Sequence, residues 1–170
     1  RINSIQSLGA LDGPGIRFSI FTQGCPHHCE GCHNPETHEF GVGENYSVES
    51  LFNRIRRNPL QSGVTFSGGE PFCQPEGLAM LARMLKDAGY HTASFTGFTF
   101  EQLLSSNNQA VHEFLNNLDI LVDGPFILAE RDLELRFRGS SNQRVLDVPA
   151  SLKAGKAVPT NDPDWGYTNI

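Results

Sequence analysis

The sequence has 170 residues, of which 38% are hydrophobic and 19% charged, and its formal net charge is -6. This length suits one domain around one core, and the ordinary composition excludes a disordered chain. The acidic charge without a Lys/Arg run argues against a nucleic-acid partner, and no apolar stretch approaches the ~20 residues of a membrane span.

The first half of the chain alternates between strand and helix patterns. Short alternating or β-prone runs predict strands, and apolar residues at helical spacing predict helices. Gly, Pro and Asn at the ends of these runs mark the turns. In chain order we predict a strand at Arg17–Thr22, a loop at 23–46, a helix from Ser47 to Asn58, a strand at Gly63–Ser67 and a helix ending near Gly89.

The second half continues the alternation and ends in a segment with little periodicity. We predict a strand at Tyr90–Phe95, a short helix at Phe100–Leu104, a helix at Val111–Leu118, strands at Asp119–Val122 and Arg144–Val148, and a tail at 150–170 that wraps over the surface. With no signal peptide pattern at the start, the expected compartment is the cytoplasm.

Strands that alternate with helices predict an α/β fold with a mainly parallel sheet. Ligands of such folds gather at the C-terminal ends of the strands. Each of the segments that carry unusual residues follows a predicted strand: the cysteine loop, Gly68–Pro71, Thr96-Gly97 and Asp123-Gly124. We therefore expect these segments to meet on one rim of the sheet.

Three of the four cysteines lie close together, as Cys25, Cys29 and Cys32 in a C-x3-C-x2-C pattern. A reducing cytosol disfavours disulfides, so this spacing indicates a metal or redox site. Three thiolates could hold an iron–sulfur cluster with one iron left open for a substrate. A structural zinc completed by a neighbouring histidine is the alternative. Cys73 stands alone and is interpreted as a small half-buried residue.

The other candidate residues have weaker signals. Exposed carbonyls of Gly68 and Gly69 and the carboxylate of Glu70 could accept hydrogen bonds from an ammonium group, although a tight turn would explain the same residues. Thr96 could reach a ligand from the end of its strand, and Asp123 is either a cap or a site residue. The segment 136–144 is either a polar turn that binds an anion or a solvated hairpin loop.

The cysteine spacing resembles the signature of the radical S-adenosylmethionine superfamily. The flanking segments, 12–17 before the motif and 32–37 at its end, resemble those of the activases of glycyl radical enzymes. The residue before the last cysteine is often aromatic in that superfamily, whereas here it is Gly31. Any contact of this position with the adenine of the cofactor would therefore come from the backbone.

The resemblance implies a single domain over 1–170 with the partial (β/α) barrel of the radical S-adenosylmethionine type and its cofactor at the C-terminal ends of the strands. It also implies a [4Fe–4S] cluster on Cys25, Cys29 and Cys32, with S-adenosylmethionine beside it. The cofactor contacts expected from it are Gly31, Cys32 and His33 at the adenine, Gly68, Gly69 and Glu70 at the methionine, and Thr96, Asp123, Ser141, Asn142 and Gln143 near the cofactor or the docked partner.

Two later segments, Leu121–Gly124 and Phe137–Gln143, resemble the activating protein of the anaerobic ribonucleoside-triphosphate reductase. The expected reaction is reductive cleavage of S-adenosylmethionine to a 5′-deoxyadenosyl radical, which generates a glycyl radical on the large subunit of that reductase. A low-potential carrier such as reduced flavodoxin would supply the electron. The alternatives are an activase of another glycyl radical enzyme, such as pyruvate formate-lyase, and a non-catalytic zinc-binding interaction module.

Overall fold

The structure is a computed structural model that describes residues 1–9 and 12–166. In this part of the chain, no helix is long and apolar enough to cross a membrane. The strands are β1 Ile2–Gly9, β2 Arg17–Thr22, β3 Gly63–Gly68, β4 His91–Phe95, β5 Ile120–Asp123 and β6 Arg144–Asp147. The helices are α1 Val48–Arg56, α2 Pro75–Asp87, α3 Phe100–Leu104, α4 Gln109–Asn116 and α5 Val148–Ala154.

Within the described residues, the strands form one six-stranded sheet in the order β1-β2-β3-β4-β5-β6. Strands β2 to β5 are parallel, whereas β1 pairs antiparallel with β2 and β6 pairs antiparallel with β5. The mainly parallel α/β sheet is therefore confirmed. Closure into a partial barrel and the assignment of 1–170 to a single domain stay predictions.

The main core lies between one face of the sheet and the helices that connect its parallel strands. Phe66 of β3 and Leu121 of β5 pack there with Ile55, Leu81 and Phe114 from the helices. These side chains are all fully buried. The apolar helical faces expected from the sequence are the faces that cover this side of the sheet.

Alternate residues of the last strands point to the opposite face, as the pleat requires. Ala93, Val122 and Val145 form a smaller cluster there with Trp165 from the tail. This face also borders a large cavity, which Phe21, Ser67 and Phe95 line from three neighbouring strands. The side of the sheet that the helices leave uncovered therefore carries the cavity.

Most predicted boundaries agree with the structure within two residues, and two elements were missed. The N-terminal strand β1 was not predicted, and Val148 begins α5 instead of ending a strand. Asp147 caps this helix by accepting a hydrogen bond from the Ala150 N–H at 2.9 Å, and proline follows at its first turn. An acid followed by Pro149 is a helix start signal.

The tail packs back onto the fold as far as the structure describes it. The N–H of Thr160 donates to the Val145 carbonyl at 2.9 Å, and Trp165 is 2% exposed. The guanidinium of Arg17 lies 5.3 Å from the centre of the Trp165 ring. The expected wrap is thus a packed segment, while the part of the predicted tail at 167–170 lies outside the described residues.

Candidate cluster and cofactor site

The cysteine loop follows β2, and hydrogen bonds between its first and later residues close its base. The N–H of Gly24 donates to the Thr37 carbonyl at 2.7 Å, and the N–H of Cys25 donates to the His38 carbonyl at 3.1 Å. The side-chain amide of Gln23 donates to two further loop carbonyls, those of Glu36 and Glu39. These hydrogen bonds between residues of the chain close the base of the loop.

The three cysteines of the motif line one cavity of about 130 Å³. Cys25 is buried, whereas Cys29 and Cys32 are half-buried. The N–H of Cys32 donates to the Cys29 carbonyl at 3.2 Å, which turns the second half of the motif back toward the first. Three thiols facing one cavity are a donor set that fits an iron–sulfur cluster.

The environment of Cys25 favours the protonated thiol. Burial raises the pKa of Cys25, and the charges of Glu70, Cys29 and Cys32 raise it further against a backbone hydrogen bond from His27. Ligation requires the thiolate, so binding of iron would release a proton that this environment otherwise retains. Cys73 is exposed rather than half-buried, and it lines a different cavity.

Gly68 and Gly69 allow β3 to end directly against the cysteine loop. A Cβ at Gly69 would lie 2.4 Å from the Gly24 carbonyl oxygen, and Gly68 has a φ of +95°. The N–H of Gly69 donates to the Thr22 carbonyl, and the N–H of Glu70 donates to the Gly24 carbonyl, both at 2.8 Å. Glycine is therefore required here by the close approach of two backbones.

The carboxylate of Glu70 is 0% exposed and already has several protein donors. It accepts hydrogen bonds from the Thr96 hydroxyl at 2.9 Å, the Gly97 N–H at 2.7 Å and the Phe72 N–H at 3.0 Å. His27 Nε2 lies 2.7 Å from Glu70 Oε1. The expected contact of Glu70 with a methionine ammonium group stays a prediction, and in this structure the carboxylate binds the protein.

Thr96 lies on the expected rim and lines the 130 Å³ cavity together with Gly68, Gly69 and Gly97. Its hydroxyl donates to Glu70 and accepts from the Phe98 N–H at 3.1 Å. The rim predicted from the sequence thus forms at the cysteine loop, the end of β3 and the end of β4.

Asp123 has a structural role in the arrangement observed. Its buried carboxylate accepts from Arg144 Nε at 3.0 Å and from the Phe100 N–H at 2.7 Å. Hydrogen bonds to Asp123 and then to Glu101 raise the pKa of Arg144. Asp123 is not among the residues that line the two cavities of the site. The hydrogen bond from the Phe100 N–H is a cap contact, and a contact of Asp123 with the cofactor stays a prediction.

Of the polar residues Ser141, Asn142 and Gln143, only Gln143 lines the cavities. Its Oε1 accepts from the Gly139 N–H at 2.8 Å, and its Nε2 donates to the Gly124 carbonyl at 3.1 Å. Ser141 is exposed, and the Asn142 side chain donates to the Pro125 carbonyl at 2.8 Å. The side chains of Asn142 and Gln143 thus bond to backbone groups of the protein, and the expected contacts of this segment with a ligand stay predictions.

A second cavity, of about 650 Å³, adjoins the first and shares part of its wall. The shared residues are Cys32, Ser67, Phe95, Phe126 and Gln143. The larger cavity also reaches four residues that no predicted motif contains, namely Gln6, Phe21, Leu133 and Leu135. Asp12 from the flanking segment and Phe137 and Arg138 from the 136–144 segment line it as well. No local motif marks the first four residues, because they come from distant parts of the chain and meet only in the fold.

Gly31 faces the 126–128 segment at close range. Gly31 has a φ of +75°, and a Cβ there would lie 2.9 Å from Leu128 Cδ1 and 3.4 Å from Phe126 Cε1. The rings of Phe126 and His33 are 5.4 Å apart at an interplanar angle of 61°. Phe126 and Leu128 thus occupy the space that a side chain at position 31 would need.

Curated relatives of this chain are named as activating enzymes. The pyruvate formate-lyase-activating enzyme of Listeria monocytogenes serovar 1/2a is 40% identical over 169 residues, which is 90% of this chain and 63% of the relative. That of Staphylococcus aureus USA300 is 33% identical over 158 residues, or 89% of this chain and 62% of the relative. That of Clostridium pasteurianum is 44% identical over 98 residues, or 55% of this chain and 41% of the relative.

The chain spans less than two thirds of the length of these relatives. Among solved structures, QueE from Escherichia coli aligns with 58% of this chain and 52% of its own, at 26% identity and a TM-score of 0.45. A family model described as "4Fe-4S single cluster domain" matches residues 11–146, which include the three cysteines and the parallel strands. By this match over most of its length, the chain belongs to the family of 4Fe-4S single cluster domains.

Proposed function

We propose that this chain is the cluster-binding part of a radical S-adenosylmethionine activase that generates a glycyl radical on a partner enzyme. The observation that carries the proposal is that all three cysteines of the motif line one small cavity, which shares a wall with a much larger one. A cluster at the thiols would adjoin a space large enough for a second ligand. The names of the relatives support the same reaction class.

The residues present fit a [4Fe–4S] cluster. Cys25, Cys29 and Cys32 would ligate three of its irons and leave the fourth without a protein thiolate. When bound, the cluster would supply the electron that cleaves S-adenosylmethionine reductively. The protein would hold the two ligands together and exclude water and oxygen from the 650 Å³ cavity.

The backbone of the motif and the strand ends would position the cosubstrate. Gly31, Cys32 and His33 would contact the adenine from the side that Phe126 borders. Gly68 and Gly69 would present backbone atoms to the methionine end, where both glycines line the smaller cavity. Because Glu70 already accepts several protein hydrogen bonds, carbonyl oxygens are the better candidates for the ammonium group.

For the target of the activase, the comparisons favour the alternative over the first expectation. The three relatives described above are all named as pyruvate formate-lyase-activating enzymes. Two of the residues that suggested the reductase also make contacts within the protein. Asp123 pairs with Arg144, and the Asn142 side chain donates to the Pro125 carbonyl. We therefore propose pyruvate formate-lyase as the first partner to test, with a low-potential carrier such as reduced flavodoxin as electron donor.

The test is anaerobic. The protein is reconstituted with iron and sulfide, reduced with dithionite, and mixed with S-adenosylmethionine and either pyruvate formate-lyase or the anaerobic reductase. The proposal expects 5′-deoxyadenosine by chromatography and a glycyl radical signal by electron paramagnetic resonance. The partner that acquires the radical is the target. A protein that binds zinc and forms no iron–sulfur cluster would be an interaction module instead.

A further inference from the structure

The buried carboxylate of Glu70 joins three segments of the site. Phe72 donates to it from the turn after β3, and Thr96 and Gly97 donate from the end of β4. His27 reaches it from the cysteine loop, with Nε2 2.7 Å from Oε1. Since carboxylate oxygens accept hydrogen bonds, the ring nitrogen of His27 is the donor.

His27 lies between Cys25 and Cys29 in the chain and is held on more than one side. Its ring packs edge-on against Phe98, with the ring centres 4.6 Å apart. A Cβ at Gly97 would lie 2.5 Å from Cδ2 of His27, so the ring rests directly on the backbone at the end of β4. The His27 side chain is only 18% exposed. A displacement of the loop between these cysteines would break these contacts.

We propose that His27 is a positioning residue for the cluster. Its hydrogen bond to Glu70 fixes the loop between Cys25 and Cys29 against the strand ends, and so holds the thiolates in the arrangement that the iron–sulfur cluster needs. The inference rests on the proposed function only in requiring that a cluster is bound. It assigns to Glu70 an anchoring role inside the protein.

The network allows this role to be separated from folding. Without His27, the Glu70 carboxylate would still accept hydrogen bonds from Thr96, Gly97 and Phe72. The buried charge would not be left without donors, so the fold should survive the substitution. The cysteine loop would keep its backbone hydrogen bonds at Gly24 and Cys25, including the one from Glu70, but would lose its side-chain anchor between Cys25 and Cys29.

Three variants separate the hydrogen bond from the ring. His27→Phe keeps a ring against Gly97 and Phe98 but has no donor for Glu70. His27→Gln keeps an N–H donor without the ring. His28→Phe makes the same change at the next position, where the side chain is exposed and packs on His38. Each protein is reconstituted anaerobically, and we measure iron and sulfide content, iron release to a chelator, and the paramagnetic resonance spectrum of the reduced cluster.

We expect His27→Phe to release iron about tenfold faster than the wild type, equivalent to about 1.4 kcal/mol. Its reduced-cluster signal should be broadened, because the loop would sample several conformations. His27→Gln should lie close to the wild type in both measurements, and His28→Phe should match it.

Two outcomes would overturn the inference about His27 and leave the proposed function standing. One is a His27→Phe protein with the release rate and signal of a wild type that holds its cluster. The other is equal loss in His27→Phe and His27→Gln, which would assign the effect to the ring. A wild-type protein that holds no iron–sulfur cluster defeats the proposed function, and this inference with it.

Discussion

Gly97 and the ring of His27 lie so close together that no side chain fits between them. A Cβ at Gly97 would be 2.5 Å from Cδ2 and 2.7 Å from Nε2 of His27. This contact joins the cysteine loop, which follows β2, to the end of β4, two strands away in the sheet. Gly97 thus determines how closely the cysteine loop approaches the rim.

Gly97→Ala should displace the His27 ring and lower both stability and cluster retention. Crowding of this kind costs about 1–3 kcal/mol of the free energy of unfolding. Urea denaturation of the apoprotein and iron analysis after reconstitution measure the two effects. Gly77→Ala is the matched control, because its Cβ would meet Val48 at an ordinary 3.9 Å inside α2. Equal behaviour of the two variants would contradict the prediction.

Cys29→Ala should give a folded protein that cannot retain an intact [4Fe–4S] cluster. The base of its loop is closed by backbone hydrogen bonds, so the fold does not depend on this thiol. Iron and sulfide analysis and the visible absorption of the cluster provide the measurement. Cys73 lies outside the cavity lined by the three cysteines, so Cys73→Ala should bind as much iron and sulfide as the wild type. Full iron content together with full cofactor cleavage in Cys29→Ala would defeat the ligand assignment.

Arg144→Met should be strongly destabilising, because it leaves the buried Asp123 carboxylate without its charged partner. Breaking a buried pair in this way costs about 3–5 kcal/mol of the free energy of unfolding. Glu101→Gln is the control: its side chain is 58% exposed, and an exposed pair with Arg144 is worth about 1 kcal/mol or less. Equal free energies of unfolding for the two variants would contradict the prediction.

The free energy of unfolding should decrease in mild acid because of His91. Burial, and then the charge of Arg17, lower the pKa of His91 below its ordinary 6.5. The unfolded chain therefore binds this proton more readily than the folded one, so stability falls as the pH decreases below about 6.5 and is unaffected well above it. Urea denaturation between about pH 8 and about pH 5.5 measures the change. The prediction fails if His91→Gln loses as much stability over this range.

The helices and parallel strands could be predicted because their apolar periodicity reflects the faces they bury. The faces of α1, α2 and α4 carried this signal, and the core confirms it. Strand β1 showed little apolar periodicity, because an edge strand buries few side chains. Among its described side chains, Ile2 is the buried one. Helix α5 was missed because Val148 was assigned to the preceding strand although Pro149 signals a helix start.

Part of the site was predictable for a topological reason. Parallel strands end at one edge, so the cysteine loop, Gly68 to Glu70 and Thr96 had to meet there. The direction of each side chain was not predictable from that rule. Asp123 also ends a strand, but its carboxylate pairs with Arg144, and Gln143 reaches the cavity while Ser141 faces solvent. The walls formed by Phe126 and Leu133 depend on how the long connection after β5 folds back.

The hydrogen bonds that close the base of the cysteine loop, from Gly24 to Thr37 and from Cys25 to His38, also bear on how the protein acquires iron. A small zinc domain folds only as its metal binds, so the affinity of the site and the stability of the fold are the same quantity. Here the base of the loop is closed by backbone hydrogen bonds of the chain itself, and the main core packs without the cysteines of the motif. Apoprotein purified in air should therefore already be folded, and the oxygen-sensitive step can be postponed until the cluster is assembled.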